Sequence, residues 1–378
     1  RFAQWRIEKT GHGIVGFITS NTYIDGITHR SMRESLMQAF DEIYILDLHG
    51  SSKKKERTPD GGKDENVFDI TVGVSILLAV RLAEADRLLT DGRPPARVFH
   101  AELWGARKGK YDWLWQNDAS QTPWTELAPT EPHFFFVPKD FDGDSEYRAF
   151  PVITDCLSAH NTGIQTKRDS FVYHFTEEDL QQVIQDLNDL SPETIMQRYS
   201  LPSDGRDWTL QWANEDVSRN HGLKTRVLYH PFDHRWTLYT WKTKGFMAYP
   251  RAPLMRSTLQ DNRTLLCVRN ARRGNIDSFL VANTIVDKDA VSPFDNVTFF
   301  PLYLYPAADE LDASTGRRPN INIEFLKALA EKLGLSQAGP HGLPHGVTPE
   351  DIFHYAYAVF HSPTYRTRYA EFLKIDFP

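Results

Sequence analysis

A strand, a helix and two more strands follow one another in residues 1 to about 90, and that succession admits few folds. Residues 14–19 (IVGFIT) read as a short buried strand, apolar with glycine in and beside the run. From Thr28 to Phe40 the apolar residues Met32, Leu36 and Phe40 recur on one face, which predicts an amphipathic helix. Ile43–Leu48 (IYILDL) and Val72–Leu82 predict further strands. Between them lies a polar loop, Lys53–Asn66, whose Pro-Asp-Gly-Gly is turn chemistry. The order predicts an α/β sheet with at least one crossover. It is too short for a complete doubly wound domain and reads as the second half of one. The chain opens RFAQWRIEK, with neither Met nor signal peptide, so it reads as cut from something larger.

The pattern then changes. Asp91–Pro95 is a turn or boundary, Val98–Gln116 begins extended, and Thr122–Pro138 carries four prolines and reads as irregular connection. Thr176–Arg198 predicts helix, with Thr176 and Asp179 as a start signal and Leu180, Val183, Ile184 and Leu187 as the core stripe. Residues 225–305 alternate apolar and polar in short runs and predict a β-rich region. The tail returns to helices over Ile323–Leu333, Thr348–His361 and Tyr365–Leu373, the second announced by Thr-Pro-Glu-Asp.

Charge is distributed unevenly. The 378 residues carry a net −7, yet Arg219–Arg273 holds twelve Lys/Arg against two acids, a local +10 that leaves −17 elsewhere. Such asymmetry fits one face meeting a polyanion, against the plainer reading of a solvated sheet. Two cysteines, Cys156 and Cys267, exclude a disulfide framework and fit a reducing cytoplasm. The longest apolar run falls far short of the ~20 residues that span a bilayer.

Common catalytic signatures such as GxxxxGK[ST], HExxH, CxxC and GxSxG are absent. His341 and His345 sit among glycines and prolines, which is loop composition, and no metal is expected. The stretch Thr162–Asp169 (TGIQTKRD) is more informative. Gln165 suits adenine N6/N7, Arg168 suits guanine or phosphate, and Thr162, Thr166 and Lys167 suit phosphate oxygens. Read alone it is slightly better taken as an Asx- or Thr-stabilised turn with Arg168 and Asp169 exposed. In the basic segment Tyr229, Phe232, Trp236, Tyr239, Trp241, Phe246 and Tyr249 interleave with the cations. Arg235, Lys242, Lys244, Arg251, Arg256, Arg269, Arg272 and Arg273 are the phosphate or base-edge candidates there. Phe68, just before the strand at Val72, could stack on a base or cap a core.

GHGIVGFITSNTYIDGITHRSMRESL, EIYILDLHGSSKKKE and DENVFDITVGVSILLAV resemble the later part of a gamma-type N6-adenine DNA methyltransferase. TGIQTKRD, LYHPFDHRWTLYT, MAYPRAPLM, FFPLYLYP and the terminal YAVFHSPTYRTRYAEFLKIDFP resemble the target-recognition region of single-chain Type ISP restriction–modification enzymes. The resemblance implies an order of nuclease, helicase-like ATPase, methyltransferase and target-recognition domain. It implies that the S-adenosylmethionine loop and the NPPY-type motif precede the GIVGFIT strand, so this chain alone should not methylate. It places Phe68 beside a flipped target adenine and Lys53, Lys54 and Lys55 on backbone phosphate.

The expectation is therefore an α/β chain. Residues 1–120 form the C-terminal half of a Rossmann-like methyltransferase domain. Residues 121–378 form a mixed α+β target-recognition domain that docks duplex DNA and ends in helices from about 320. The rival is a protein-interaction or RNA-binding module that docks partner domains through its acidic and basic faces.

Overall fold

The structure is a computed structural model that describes residues 1–83, 94–270, 279–306, 316–337 and 339–378. It divides into two compact units, Arg1–Asp140 and Phe141–Pro378.

In the first unit the order is α1 (Phe2–Thr10), β1 (Gly13–Ser20), α2 (Thr22–Asp25), α3 (Arg30–Ala39), β2 (Glu42–Asp47), β3 (Val74–Arg81), β4 (Arg97–Glu102), α4 (Arg107–Gln116) and β5 (Thr125–Leu127). The sheet order is β1-β3-β2-β4-β5. β3 runs antiparallel to both β1 and β2, while β2 and β4 are parallel. β1 and β2 thus point the same way, and α3 is the crossover between them. Side chains of β2 alternate as a strand requires. Ile43 and Ile45 pack with Leu36, Met37 and Phe40 on one face, and Leu46 packs with Leu48, Trp113 and Leu114 on the other. Covered faces explain why these strands read as nearly continuous apolar runs. The buried Arg33 of α3 donates to the carbonyls of Tyr23, Gly26 and His133. It ties residues 121–140 to this unit, where Phe136 is fully buried.

The second unit opens with α5 (Asp144–Arg148), α6 (Ile153–Cys156), β6 (Asn161–Thr162) and α7 (Asp169–Val172). Next come α8 (Glu177–Asp189), α9 (Pro192–Arg198), α10 (Leu210–Arg219), β7 (Leu223–His230), β8 (Asp233–Tyr239) and α11 (Ala252–Met255). Then follow β9 (Thr264–Val268), β10 (Phe279–Ala282), β11 (Ile285–Val286), β12 (Val297–Pro301), β13 (Tyr303–Leu304) and β14 (Arg318–Pro319). The end is helical: α12 (Ile323–Leu333), α13 (Pro349–His361), α14 (Pro363–Arg368) and α15 (Ala370–Leu373). Two larger sheets have the orders β10-β9-β12-β6 and β11-β7-β8. Leu180, Val183 and Leu187 of α8 pack with Phe171, Trp208, Val227 and Phe246 in the main core. The helical region expected over 176–198 holds two helices. Ser191 caps α9 through Thr194 N–H, with Pro192 behind it, and a proline there cannot continue α8. Among the described residues no helix is long and apolar enough to cross a membrane.

Candidate nucleic-acid interface

The TGIQTKRD stretch is held by backbone on both sides. Thr162 pairs with Thr298 of β12. Ile164 donates its N–H to Val286 O at 2.9 Å, and Gln165 and Tyr249 exchange both backbone bonds at 3.1 and 2.9 Å. Gly163 passes so close to the Asp287 backbone that a Cβ would meet its carbonyl. The Thr166 hydroxyl accepts the Arg168 N–H at 3.0 Å and meets the Asp169 carboxylate, which closes a tight turn. Lys167, at φ 66°, is left outside, 3.8 Å from Asp207. Arg168 turns back: it donates to Lys167 O and Ser203 O, both at 2.8 Å, and lies over Trp208. The Gln165 carboxamide has no hydrogen-bond partner among the described residues.

Next to this turn, residues 240–251 carry three cations without a carboxylate partner among the described residues. The carboxylate of Asp216, fully buried on α10, accepts from Thr240 Oγ1 at 2.6 Å, Phe246 N–H at 2.7 Å and Asn220 Nδ2 at 2.6 Å. Gly245 lies against that carboxylate, with no room for a Cβ. The loop so anchored projects Lys242 and Lys244, the latter 4.9 Å over the Trp212 ring. Ala248 N–H then bonds Thr166 O, joining the loop to the Gln165 turn. Arg251 follows at φ 58°, over Tyr249, with its Nε buried and unbonded. Lys242, Lys244 and Arg251 have no carboxylate partner among the described residues.

Other cations of the basic segment are engaged. Arg235 forks onto Asp233 at 2.6 and 2.7 Å, which lowers the Asp233 pKa and raises that of Arg235. Arg269 forks onto Asp376 at 2.7 and 3.1 Å. Arg256 is half-buried, its charge acts on the Tyr239 hydroxyl, and it has interactions of its own. Arg272 and Arg273 lie outside the described residues.

In the first unit Phe68 is 43 % exposed, not core. Its backbone is fixed at both ends: Asn66 Oδ1 accepts its N–H at 2.9 Å, and Arg107 donates to its carbonyl at 3.1 Å. Below it the buried Lys110 ammonium donates to Leu48 O, Asp64 Oδ1 and Glu65 O within 2.7–2.8 Å, closing the base of the Lys53–Asn66 loop. Lys53 and Lys55 are exposed without carboxylate partners among the described residues, and Lys54 lies 3.4 Å from Asp25. The sequence did not single out Lys110, Asp216, Trp208 or Trp212, which hydrogen-bond or pack against the segments that carry the candidate residues.

Among the described residues of this unit the glycine-rich segment does not fit S-adenosylmethionine. Gly11, Gly13 and Gly16 have the GxGxxG spacing, but α1 ends there and β1 begins. Cofactor loops need the opposite order, strand then helix. At the strand ends Asp47 already accepts Asn21 Nδ2 and His49 N–H, each at 3.0 Å. Among the described residues no group of His, Cys, Asp and Glu is arranged to hold a metal ion.

Several solved structures share the fold. A DrdV–DNA complex determined by cryo-EM matches with a TM-score of 0.66 and 22% identity over 100% of this chain and 36% of that one. The ATP-dependent Type ISP restriction–modification enzyme LlaBIII bound to DNA matches with a TM-score of 0.69 and 20% identity, over 100% and 24% of the two chains. A nuclease-deletion mutant of the Type ISP enzyme LlaGI with a DNA substrate mimic gives 0.63 and 19%, over 97% and 33%. This chain therefore spans only a quarter to about a third of those proteins. No curated protein matches. Residues 155–378 match the sequence model of the Type ISP C-terminal specificity domain, which covers the Gln165 turn, the Asp216-anchored loop and the helical tail, and the chain belongs to that family.

Proposed function

We propose that this chain docks duplex DNA sequence-specifically for a restriction–modification enzyme that methylates adenine N6. The observation that carries the reading is the set Lys242, Lys244 and Arg251. These cations lack carboxylate partners and lie on a loop fixed to the Gln165 turn, inside the residues matched by the specificity family. Three unneutralised cations on a rigid support are what phosphate contacts require, and the adjoining Gln165 amide is free to read a base edge. Arg168, Arg235 and Arg269 act from behind, through their intramolecular bonds.

The first unit is, in this reading, the second half of a Rossmann-like methyltransferase domain. Its parallel β1 and β2 with the antiparallel β3 between them support that assignment, as do Ile14, Phe17 and Ile18 left exposed on β1. An upstream half would supply S-adenosylmethionine binding and the NPPY-type motif, with ATPase and nuclease domains before it. Phe68 would wall the pocket of the flipped adenine, and Lys53, Lys54 and Lys55 would touch phosphate.

Fluorescence anisotropy with random-sequence duplex, titrated with salt, tests the docking. Binding should weaken steeply with salt, and Lys244→Gln or Arg251→Gln should each reduce the log–log slope by about 1. Charge reversal at Arg251 should weaken binding to every sequence, and Arg235→Gln should leave the slope unchanged. A slope insensitive to the Lys244 and Arg251 changes, or tighter binding to RNA than to duplex DNA, sinks the reading in favour of the interaction module.

A further inference from the structure

β7 and β8 close on a two-residue turn, Pro231-Phe232, with His230 facing Asp233. Phe232 breaks two local rules. Its φ is 64°, where a hairpin turn normally has Asn or Gly, and its ring is 88 % exposed. A residue that is both strained and left in water contributes nothing to the fold that glycine would not, so its chemistry has to be sought outside the chain.

The tip around it is stiff. The Arg235–Asp233 fork bridges the first turns of β8, and the guanidinium lies 3.3 Å from the centroid of Phe175 and 5.5 Å from that of Tyr229. Phe175 is itself 72 % exposed. At the base of the tip Arg226 donates to His234 O at 3.3 Å, and the register slips between Leu228 and His230, which tightens the local twist. Asp233 is matched by Arg235, and Asp169 meets the Tyr229 hydroxyl at 3.4 Å further down. Within His230–His234 the tip therefore offers a ring with imidazoles beside it and a single carboxylate that a guanidinium neutralises.

We propose that Phe232 is a wedge that enters a base step of duplex DNA and unstacks it, with Arg235 as the residue that positions it. The proposal rests on the docking function above. A single protruding ring is far too small for a protein interface, which needs about 1,000 Å². A base step needs only one apolar wedge, and the cost of unstacking is offset by contacts along the bent duplex.

The experiment uses the 378-residue chain and random-sequence duplexes carrying 2-aminopurine, whose fluorescence rises on unstacking. Wild type should raise the signal. Phe232→Gly should abolish the rise and weaken binding about tenfold, leaving the salt slope unchanged because no phosphate contact is removed. Glycine accepts φ 64°, so thermal stability should hold or increase. Phe232→Trp should restore the signal, and Arg235→Gln should lower it with Phe232 still present. Equal binding and equal fluorescence for Phe232→Gly would overturn the wedge while the wild-type salt slope keeps the docking reading intact. A loss of thermal stability in Phe232→Gly would also overturn it, because the ring would then be serving the fold. Absence of salt-dependent duplex binding by wild type removes the docking reading, and the wedge with it.

Discussion

The Asp216 carboxylate accepts the backbone N–H of Phe246 at 2.7 Å, so a residue in the middle of α10 sets the path of a loop thirty residues later. Two more donors, Thr240 Oγ1 and Asn220 Nδ2, converge on the same carboxylate. Removing it strands all three. A buried donor without an acceptor costs about 1–3 kcal/mol. Asp216→Ala should therefore lower stability by at least about 2–4 kcal/mol. The urea midpoint should fall with the slope unchanged. Duplex affinity should fall as well, because Lys242 and Lys244 lose their support. An unchanged midpoint would show that the loop is held by other means.

Gln165 and Arg168 stand three residues apart in one turn, yet their substitutions should behave differently. The Gln165 amide is uncommitted, so Gln165→Ala should leave stability within about 0.5 kcal/mol and relax the preferred site. Arg168 spends its fork on Ser203 O and Lys167 O and covers Trp208. Arg168→Ala should first lower stability, by about 1–2 kcal/mol, with any change of preference following from a loosened turn. Selection of bound sequences from a random pool, run beside thermal melts, separates the two. Intact sequence preference in Gln165→Ala would remove that side chain from base readout.

A buried carboxyl beneath the same turn makes the fold sensitive to pH. Asp287 accepts from Tyr173 OH and Asp289 N–H, each at 2.8 Å, and burial pushes its pKa up from 3.8 to about 7, with Asp169 and Asp289 adding to the rise. The folded state thus holds this proton more tightly than the unfolded chain does. The stabilisation is complete below about pH 4 and is lost as pH rises through 7. The whole effect is on the order of a few kcal/mol. Asp287→Asn keeps the shape without the titration. Its urea midpoint should decline less than that of wild type between about pH 4 and pH 7, the window in which the linkage acts. Parallel declines would place the proton elsewhere.

Local signals were legible and distant partners were not. α13 begins at Thr348 because the Thr348–Asp351 capping box and Pro349 lie within four residues, and the sequence shows all of them. β2 and β3 declared themselves through apolar runs. α10 went unread because its buried face is Leu210, Ala213 and Asp216, which has no apolar stripe to see. The count of +10 also misled in part, because formal charge ignores pairing. Asp233 lies two residues from Arg235 on the same strand face, so that pair could have been anticipated. Asp376 lies 107 residues from Arg269, and only folding brings them together. The hydroxyl-stabilised turn after Gln165 was readable from residue types, but the withdrawal of Arg168 onto Trp208 was not.

One outer strand has a practical cost. β1 pairs with β3 along one side, and among the described residues nothing hydrogen-bonds along its other side. No lysine, proline or charged side chain interrupts Gly13–Ser20, the devices by which natural proteins usually blunt such a template. Molecules of this chain purified in isolation should therefore recruit one another by strand addition as concentration rises, and solubility should recover when Phe17 is replaced by lysine.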